Sequence, residues 1–591
     1  MAWLSSLAGL VVAGVLCAQT AVFPLKDVRA GMKGIGKTVF AGTKVEEFQV
    51  EILGLLENVG PRQSLILARF SGGPLQRTGL LQGMSGSPVY ISGKLLGAVA
   101  MTFPFSKEPI AAIRPFEEML RVQETAPENP PRARVFPGER ELTGLLPRPE
   151  NVLGGGAKLV DIATPVSFAG FTRNTLECFG PQLRALGLEP VQGVGGGGRL
   201  PPQFGDPATL QPGSMITVQL LSGDMSVGAD GTLTHVDGKR IYAFGHRFLS
   251  IGNADLPFAR SEVLTLLPNL STSFKISAPR EWMGAITQDR STAVAGELGR
   301  RAALIPLSVS VLRRASDNAP LRRQSYQMSM VNDRILSPFL LQIVVFSVID
   351  ATEQTVGNSS FAVNGEVEFE GGTAPLKLNN MYAGDLNVPN QVSLGTAVPL
   401  AYVMQSGFDT LKPKRVALEI EAFDRKRQLQ IDQVWSSRRE VRPGETLDLT
   451  VVLSGENGLE LTRKVSYQVP IGAPTGPLQL TVADANTTNL TEYRQLISVP
   501  PKSAAQLISF MNSLRPNTKA YVRVSRAEPA YDVLGETLPD PPPSLALILA
   551  RTQASLGGSA LTGNSKIAEL EISAGEVVIS GSKTIQVEVK E

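Results

Sequence analysis

The segment Gly83-Met84-Ser85-Gly86-Ser87-Pro88 has the residue types of a turn that presents a nucleophile. It lies between Leu80-Leu81-Gln82 and Val89-Tyr90-Ile91, two apolar runs that read as strands. Glycines on both sides of a serine let the backbone bend so that amide N–H groups gather beside the hydroxyl. A carbonyl attacked by Ser85 Oγ would set its developing oxyanion against the Gly83 and Ser85 amides. That is the chemistry of acyl transfer, and it requires a base to accept the hydroxyl proton. The chain has 2 histidines, His235 and His246, so the choice is narrow.

His235 stands in Thr232-Leu233-Thr234-His235-Val236, just before Asp237-Gly238, a strong two-residue hairpin signal. It reads as a strand residue near a hairpin tip. His246 follows Ala243-Phe244-Gly245, where an apolar strand stops at a glycine and places the ring at a strand end. On its own His246 reads as a core histidine; beside a nucleophile-type turn in the same chain it becomes the expected base. Other chemistries find little support. Gly31-Met32-Lys33-Gly34-Ile35-Gly36-Lys37-Thr38 spells a phosphate loop, but strand and turn residues follow it where a helix is required. Two histidines eleven positions apart and one available cysteine make no zinc ligand set. No pair among the 54 acidic residues is spaced distinctively. No cofactor and no metal are expected.

The elements that must position Ser85 and His246 come from a long, strand-rich chain. Its 591 residues exceed one core, and 57 glycines with 42 prolines break Val/Ile/Leu/Thr runs throughout. Charged residues make up 19% and the net charge is +2, which offers no nucleic-acid footprint. Residues 1–20 read as a signal peptide, with an apolar run at 7–16 and Ala18 suited to cleavage. Its removal would leave Cys178 as the sole cysteine. Residues 21–123 read as a serine-bearing β half-barrel closed by a helix over 113–122. Residues 124–150, rich in Pro, Arg and Glu, read as a linker. Residues 151–315 form a histidine-bearing half-barrel, with Leu176, Phe179, Leu183 and Leu186 on one helical face. A β-rich module covers 316–435. From 436 to 591, the alternation of Leu447, Leu449, Val451 and Leu453 suggests an Ig-like β-sandwich region.

Thr78 to Val89, the following Gly93-Lys94-Leu95-Leu96-Gly97-Ala98-Val99, and Gly231-Thr232-Leu233-Thr234 with Ala243-Phe244-Gly245-His246 resemble the SpoIVB family of serine peptidases. The resemblance implies a chymotrypsin-like double β-barrel with Ser85 as nucleophile and His246 as general base. Two departures accompany it. The family's histidine segment precedes its serine segment, whereas here Ser85 comes first, as a circular permutation would give. The family's aspartate lies shortly upstream of the serine, and Phe70 occupies that place here. Asp255 and Asp289 are the acids expected to substitute for it.

Two functions remain open at this point. One is an exported endopeptidase, self-processing included, acting on a protein or peptide substrate in the periplasm, cell envelope or extracellular space. The other is a non-catalytic envelope scaffold that keeps a peptidase-like fold and binds an envelope component through its C-terminal β modules.

Overall fold

The computed structural model describes residues 21–123, 146, 159–193, 200–270, 272–314, 322–352, 359–385, 387–498, 501–528, 530–533, 536–539, 541–556, 559–562 and 565–591. The expected signal peptide and nearly all of the expected linker lie outside them.

Seven strands open the chain: β1 (Lys33–Val39), β2 (Val45–Gly60), β3 (Gln63–Ser71), β4 (Leu81–Gln82), β5 (Pro88–Ile91), β6 (Lys94–Thr102) and β7 (Ile110–Pro115). All but β4 run in the order β5-β1-β2-β3-β7-β6, and β5 pairs again with β6, which closes an antiparallel barrel. Alternating residues fill it: Phe48, Val50 and Ile52 of β2 are buried with Ile66, Ala68 and Phe70 of β3. The phosphate-loop pattern falls on a turn and on β1, as its strand-like continuation implied. The helix expected over 113–122 starts later. Ile113 to Pro115 complete β7, and the helix occupies Phe116–Leu120, with Pro115 as its cap.

After 123, β8 (Val160–Asp161) returns to the edge of β6. Then β9 (Thr164–Ala169) and β10 (Leu188–Gln192) flank a helix, Arg173–Ala185, whose Phe179 and Leu183 are buried as the apolar face predicts. The second barrel contains β11 (Met215–Gly223), β12 (Ser226–Asp237), β13 (Arg240–Ala243), β14 (Gly252–Leu267), β15 (Ser273–Arg290) and β16 (Ala293–Leu298). Their order is β12-β13-β16-β15-β14-β11, and β11 pairs back onto β12. Asp237 opposes Arg240 across the Gly238 turn, so the hairpin forms where Asp237-Gly238 placed it. The fold is thus mainly β with a chymotrypsin-like pair of barrels.

Beyond 298 the same sheet continues through β17 (Leu304–Arg314) and β18 (Arg322–Val331), with β18 on β11. Two helices that the strand-rich reading of this half did not anticipate pack here, Leu336–Thr352 and Val388–Met404. The first is buried along fourteen consecutive residues, Leu336 to Ile349. Its β-branched run Ile343-Val344-Val345 has strand propensity, but a long element that is apolar all round is a core helix. The C-terminal region packs a four-stranded sheet on a five-stranded one. Leu447, Leu449, Val451 and Leu453 point into their shared core against Leu480, Val482 and Val522.

Candidate functional site

The two barrels meet through a small apolar core of Leu95, Ala98, Phe116, Met119, Tyr242 and Ala293. The serine turn lies at this junction. Gly83 and Gly86 take φ of +90° and +93°, a region open to glycine, and so bend the chain on both sides of Ser85. The turn is closed by Met84 N–H donating to Leu81 O at 3.0 Å and Ser87 N–H donating to Met84 O at 2.9 Å. Gly86 N–H donates to Val99 O at 2.8 Å, which fastens the turn to β6.

The histidine-bearing barrel holds the other side. Thr232 N–H donates to Ser85 O at 2.8 Å, and Thr232 Oγ1 donates to Gly83 O at 2.7 Å. Thr234 Oγ1 donates to Gly86 O, also at 2.7 Å. A Cβ on Gly86 would lie 2.0 Å from Thr232 O and 2.5 Å from Phe244 N, so only a bare Cα fits between the barrels. The strand β4 just before the turn also crosses over, pairing in parallel with β15 through Leu81–Ser273 and Gln82–Phe274.

His246 is placed by an unusual strand end. Phe244 and Gly245 adopt φ of +70° and +69°, and for a residue as bulky as phenylalanine this is a strained conformation. Room for the Phe244 ring comes from Gly231, where a Cβ would meet ring atoms at 2.2 Å. Gly245 packs on β6, 3.0 Å from Ala98 Cβ by the same measure. The segment Phe244–His246 is therefore wedged between Gly231 of its own barrel and the strand that anchors the serine turn.

The ring of His246 is 2% exposed, and burial pushes its pKa below the ordinary imidazole value. Asp161 is the carboxylate that most opposes this. Nδ1 lies 2.6 Å from Arg247 O. A carbonyl oxygen carries no proton, so Nδ1 does, and Nε2 presents a lone pair. That tautomer is the one a general base needs. Among the described residues, Nε2 has no hydrogen-bond partner, and neither have Ser85 Oγ, Ser87 Oγ and Gln82 Oε1 at the serine turn, all of them buried. Ser85 is 0% exposed.

Neither expected acid reaches the ring by a hydrogen bond. Asp289 is buried and accepts the amides of Phe248 at 2.8 Å, Leu249 at 2.7 Å and Ile251 at 3.2 Å. It shapes the loop after His246, and burial raises its pKa against those three donors. Asp255 lies elsewhere on the barrel, 3.4 Å from Arg300 and accepting Ala303 N–H at 2.8 Å. The His235 ring packs edge-on to Phe116 at 5.1 Å. Phe70, at the family's acid position, is a core residue 5.8 Å from Phe48.

Four residues escaped the reading of the sequence. Thr232 and Thr234 were visible only as part of a motif, and their role as donors to the serine turn needed the second barrel in place. Asp161 pairs with Arg247 at 3.8 Å from a two-residue strand too short to carry a pattern. Lys275 is buried against Gly83, and its alternation with Ser273 and Ser277 on one face of β15 was the available signal.

No curated protein and no solved structure matches the chain. Residues 15–110 match the family model for the SpoIVB peptidase S55, and this span includes the serine turn and ends before His246. Over the barrel that carries Ser85, this chain is similar to the SpoIVB serine peptidases of family S55.

Proposed function

We propose that the chain is an exported SpoIVB-type serine endopeptidase that hydrolyses peptide bonds through an acyl-enzyme, its own chain included among its substrates. Ser85 Oγ attacks the scissile carbonyl while Nε2 of His246 takes the hydroxyl proton. The C–N bond then breaks, and the same proton passes to the leaving amine. Water repeats the sequence on the ester and frees Ser85. The amides of Gly83 and Ser85 receive the oxyanion. The imidazolium is stabilised by Arg247 O on Nδ1 and by the field of Asp161, in place of a carboxylate on the ring.

One observation carries the reading. His246, with Nδ1 2.6 Å from Arg247 O and Nε2 without a hydrogen-bond partner among the described residues, ends the segment that packs directly on the serine turn. In the same proposal residues 1–20 direct export, and the C-terminal sheets form an Ig-like unit that faces the cell envelope. The test is a fluorophosphonate probe. Wild type is expected to be labelled and Ser85→Ala to remain unlabelled; equal labelling of the two, or of neither, overturns the proposal.

A second reading, a non-catalytic envelope scaffold with a peptidase fold, is favoured by the complete burial of Ser85 and by the absence of a Ser85–His246 hydrogen bond. It predicts that neither protein is labelled.

A further inference from the structure

Lys275 of β15 is 1% exposed, and among the described residues no carboxylate forms an ion pair with it, so its burial is costly to the fold. Its Nζ donates to Thr38 Oγ1 at 2.7 Å, and Thr38 is on β1 of the other barrel. Between the two, the stem of Lys275 lies along Gly83. A Cβ there would be 3.4 Å from Lys275 Cδ and 3.6 Å from its Cβ, with Met215 Cε at 3.3 Å. The side chain thus runs from the second barrel, past the first residue of the serine turn, to the first barrel.

The surroundings are polar and buried. Asp230 of β12 is 1% exposed and accepts Thr217 Oγ1 at 2.5 Å, and Thr217 Oγ1 is 2.6 Å from Ser261 Oγ. Asp230 is also two residues from Thr232, which binds Ser85 O and Gly83 O. Asp230 is the charged group acting on Lys275. Thr38 of β1 faces the amine and Gly83 of the serine turn faces the stem, with Met215 of β11 also against Gly83, and none of the three is ionisable in this range.

We propose that Lys275 is a positioning residue for the serine turn, its buried amine bracing Gly83 against β1 so that the Gly83 and Ser85 amides face the oxyanion. The inference rests on the peptidase reading. Packing alone would be served better by an apolar side chain of equal length, so a lysine kept here against the cost of burial points to a role in the turn. Burial brings the amine down to about 7 and the Asp230 carboxyl up to about 6, so the two titrate near neutrality.

Lys275→Met keeps the stem and removes the charge. Its melting temperature is expected to equal or exceed that of wild type, while the rate of fluorophosphonate acylation falls by about tenfold to a hundredfold. The pH profile of acylation should also lose the inflection near neutrality that belongs to the lysine and keep that of His246. Thr38→Val, which removes only the acceptor, should slow acylation in the same direction and serves if Lys275→Met does not fold. Acylation by both variants at the wild-type rate with the wild-type pH profile overturns the proposal. Failure of the peptidase reading is distinct, because it shows as equal labelling of wild type and Ser85→Ala.

Discussion

Thr232 N–H donates to the carbonyl oxygen of Ser85 at 2.8 Å, so the backbone of the expected nucleophile is held by the barrel that carries the expected base. The relative position of Ser85 and His246 therefore depends on how the barrels dock as well as on the two turns themselves. Thr232→Val preserves shape and deletes the hydroxyl that donates to Gly83 O at 2.7 Å. A buried carbonyl left without that donor costs about 1–3 kcal/mol. The variant should lose stability by that amount, melt at a lower temperature and acylate more slowly, as measured by calorimetry and probe labelling on one preparation.

Gly86 gives a sharper test of the docking. Its φ of +93° is strained for alanine, and the added Cβ would meet backbone, Thr232 O at 2.0 Å and Phe244 N at 2.5 Å. Neither neighbour can rotate away, so Gly86→Ala should cost more than about 3 kcal/mol. Gly238 is the control. Its φ is also positive, at +60°, yet nothing lies within 4 Å of its Cβ. Gly238→Ala should cost only about 1 kcal/mol, the backbone contribution alone. Similar losses at both positions in chemical denaturation would mean that the tight approach at Gly86 is not what joins the barrels.

Asp289 is expected to act through the loop and not through the ring. Asn in its place offers one carbonyl oxygen to three amides and turns a donor toward at least one of them. Asp289→Asn should lose roughly 2–4 kcal/mol and raise hydrogen exchange at Phe248, Leu249 and Ile251. Asp255→Asn, at the Arg300 pair on the surface, should change stability by less than about 1 kcal/mol. A triad role for Asp289 would show differently, as a collapse of acylation with the loop still protected.

The serine turn could be read from the chain because its signal is local: two glycines, a serine and flanking apolar runs lie within a few residues. The same holds for the Asp237-Gly238 hairpin and for the Leu447–Leu453 alternation. His246 was legible by scarcity, being one of 2 histidines. What joins them was not legible, since Thr38, Lys275, Thr232 and Gly86 meet only after both barrels close, across separations of up to 237 positions. Asp255 was expected from its place nine residues after His246, and Asp289 as an acid supplied from elsewhere in the chain. Asp255 pairs with Arg300 and Asp289 is taken up by the amides of the loop after His246, while Asp161, far upstream, acts more strongly on the ring. The buried helix at Leu336–Thr352 was hidden for another reason, because its β-branched residues look like a strand until the length of the run is weighed.

The buried lysine also makes a prediction about stability alone. In the native protein Lys275 gives up its proton near pH 7, whereas in the unfolded chain it keeps the proton up to about 10.5. Between those values the unfolded state binds more protons, so raising the pH stabilises the native state through this group. Below pH 7 the native state must carry a buried ammonium, and the penalty is present in full. Lys275→Met has no such group. It should therefore be more stable than wild type at neutral pH, and its advantage should shrink as the pH rises from about 7 toward 10. Urea denaturation of both proteins at several pH values in that interval measures the difference directly. A constant difference would mean that Lys275 titrates alike in the folded and unfolded chain, which its burial between Thr38 and Gly83 opposes.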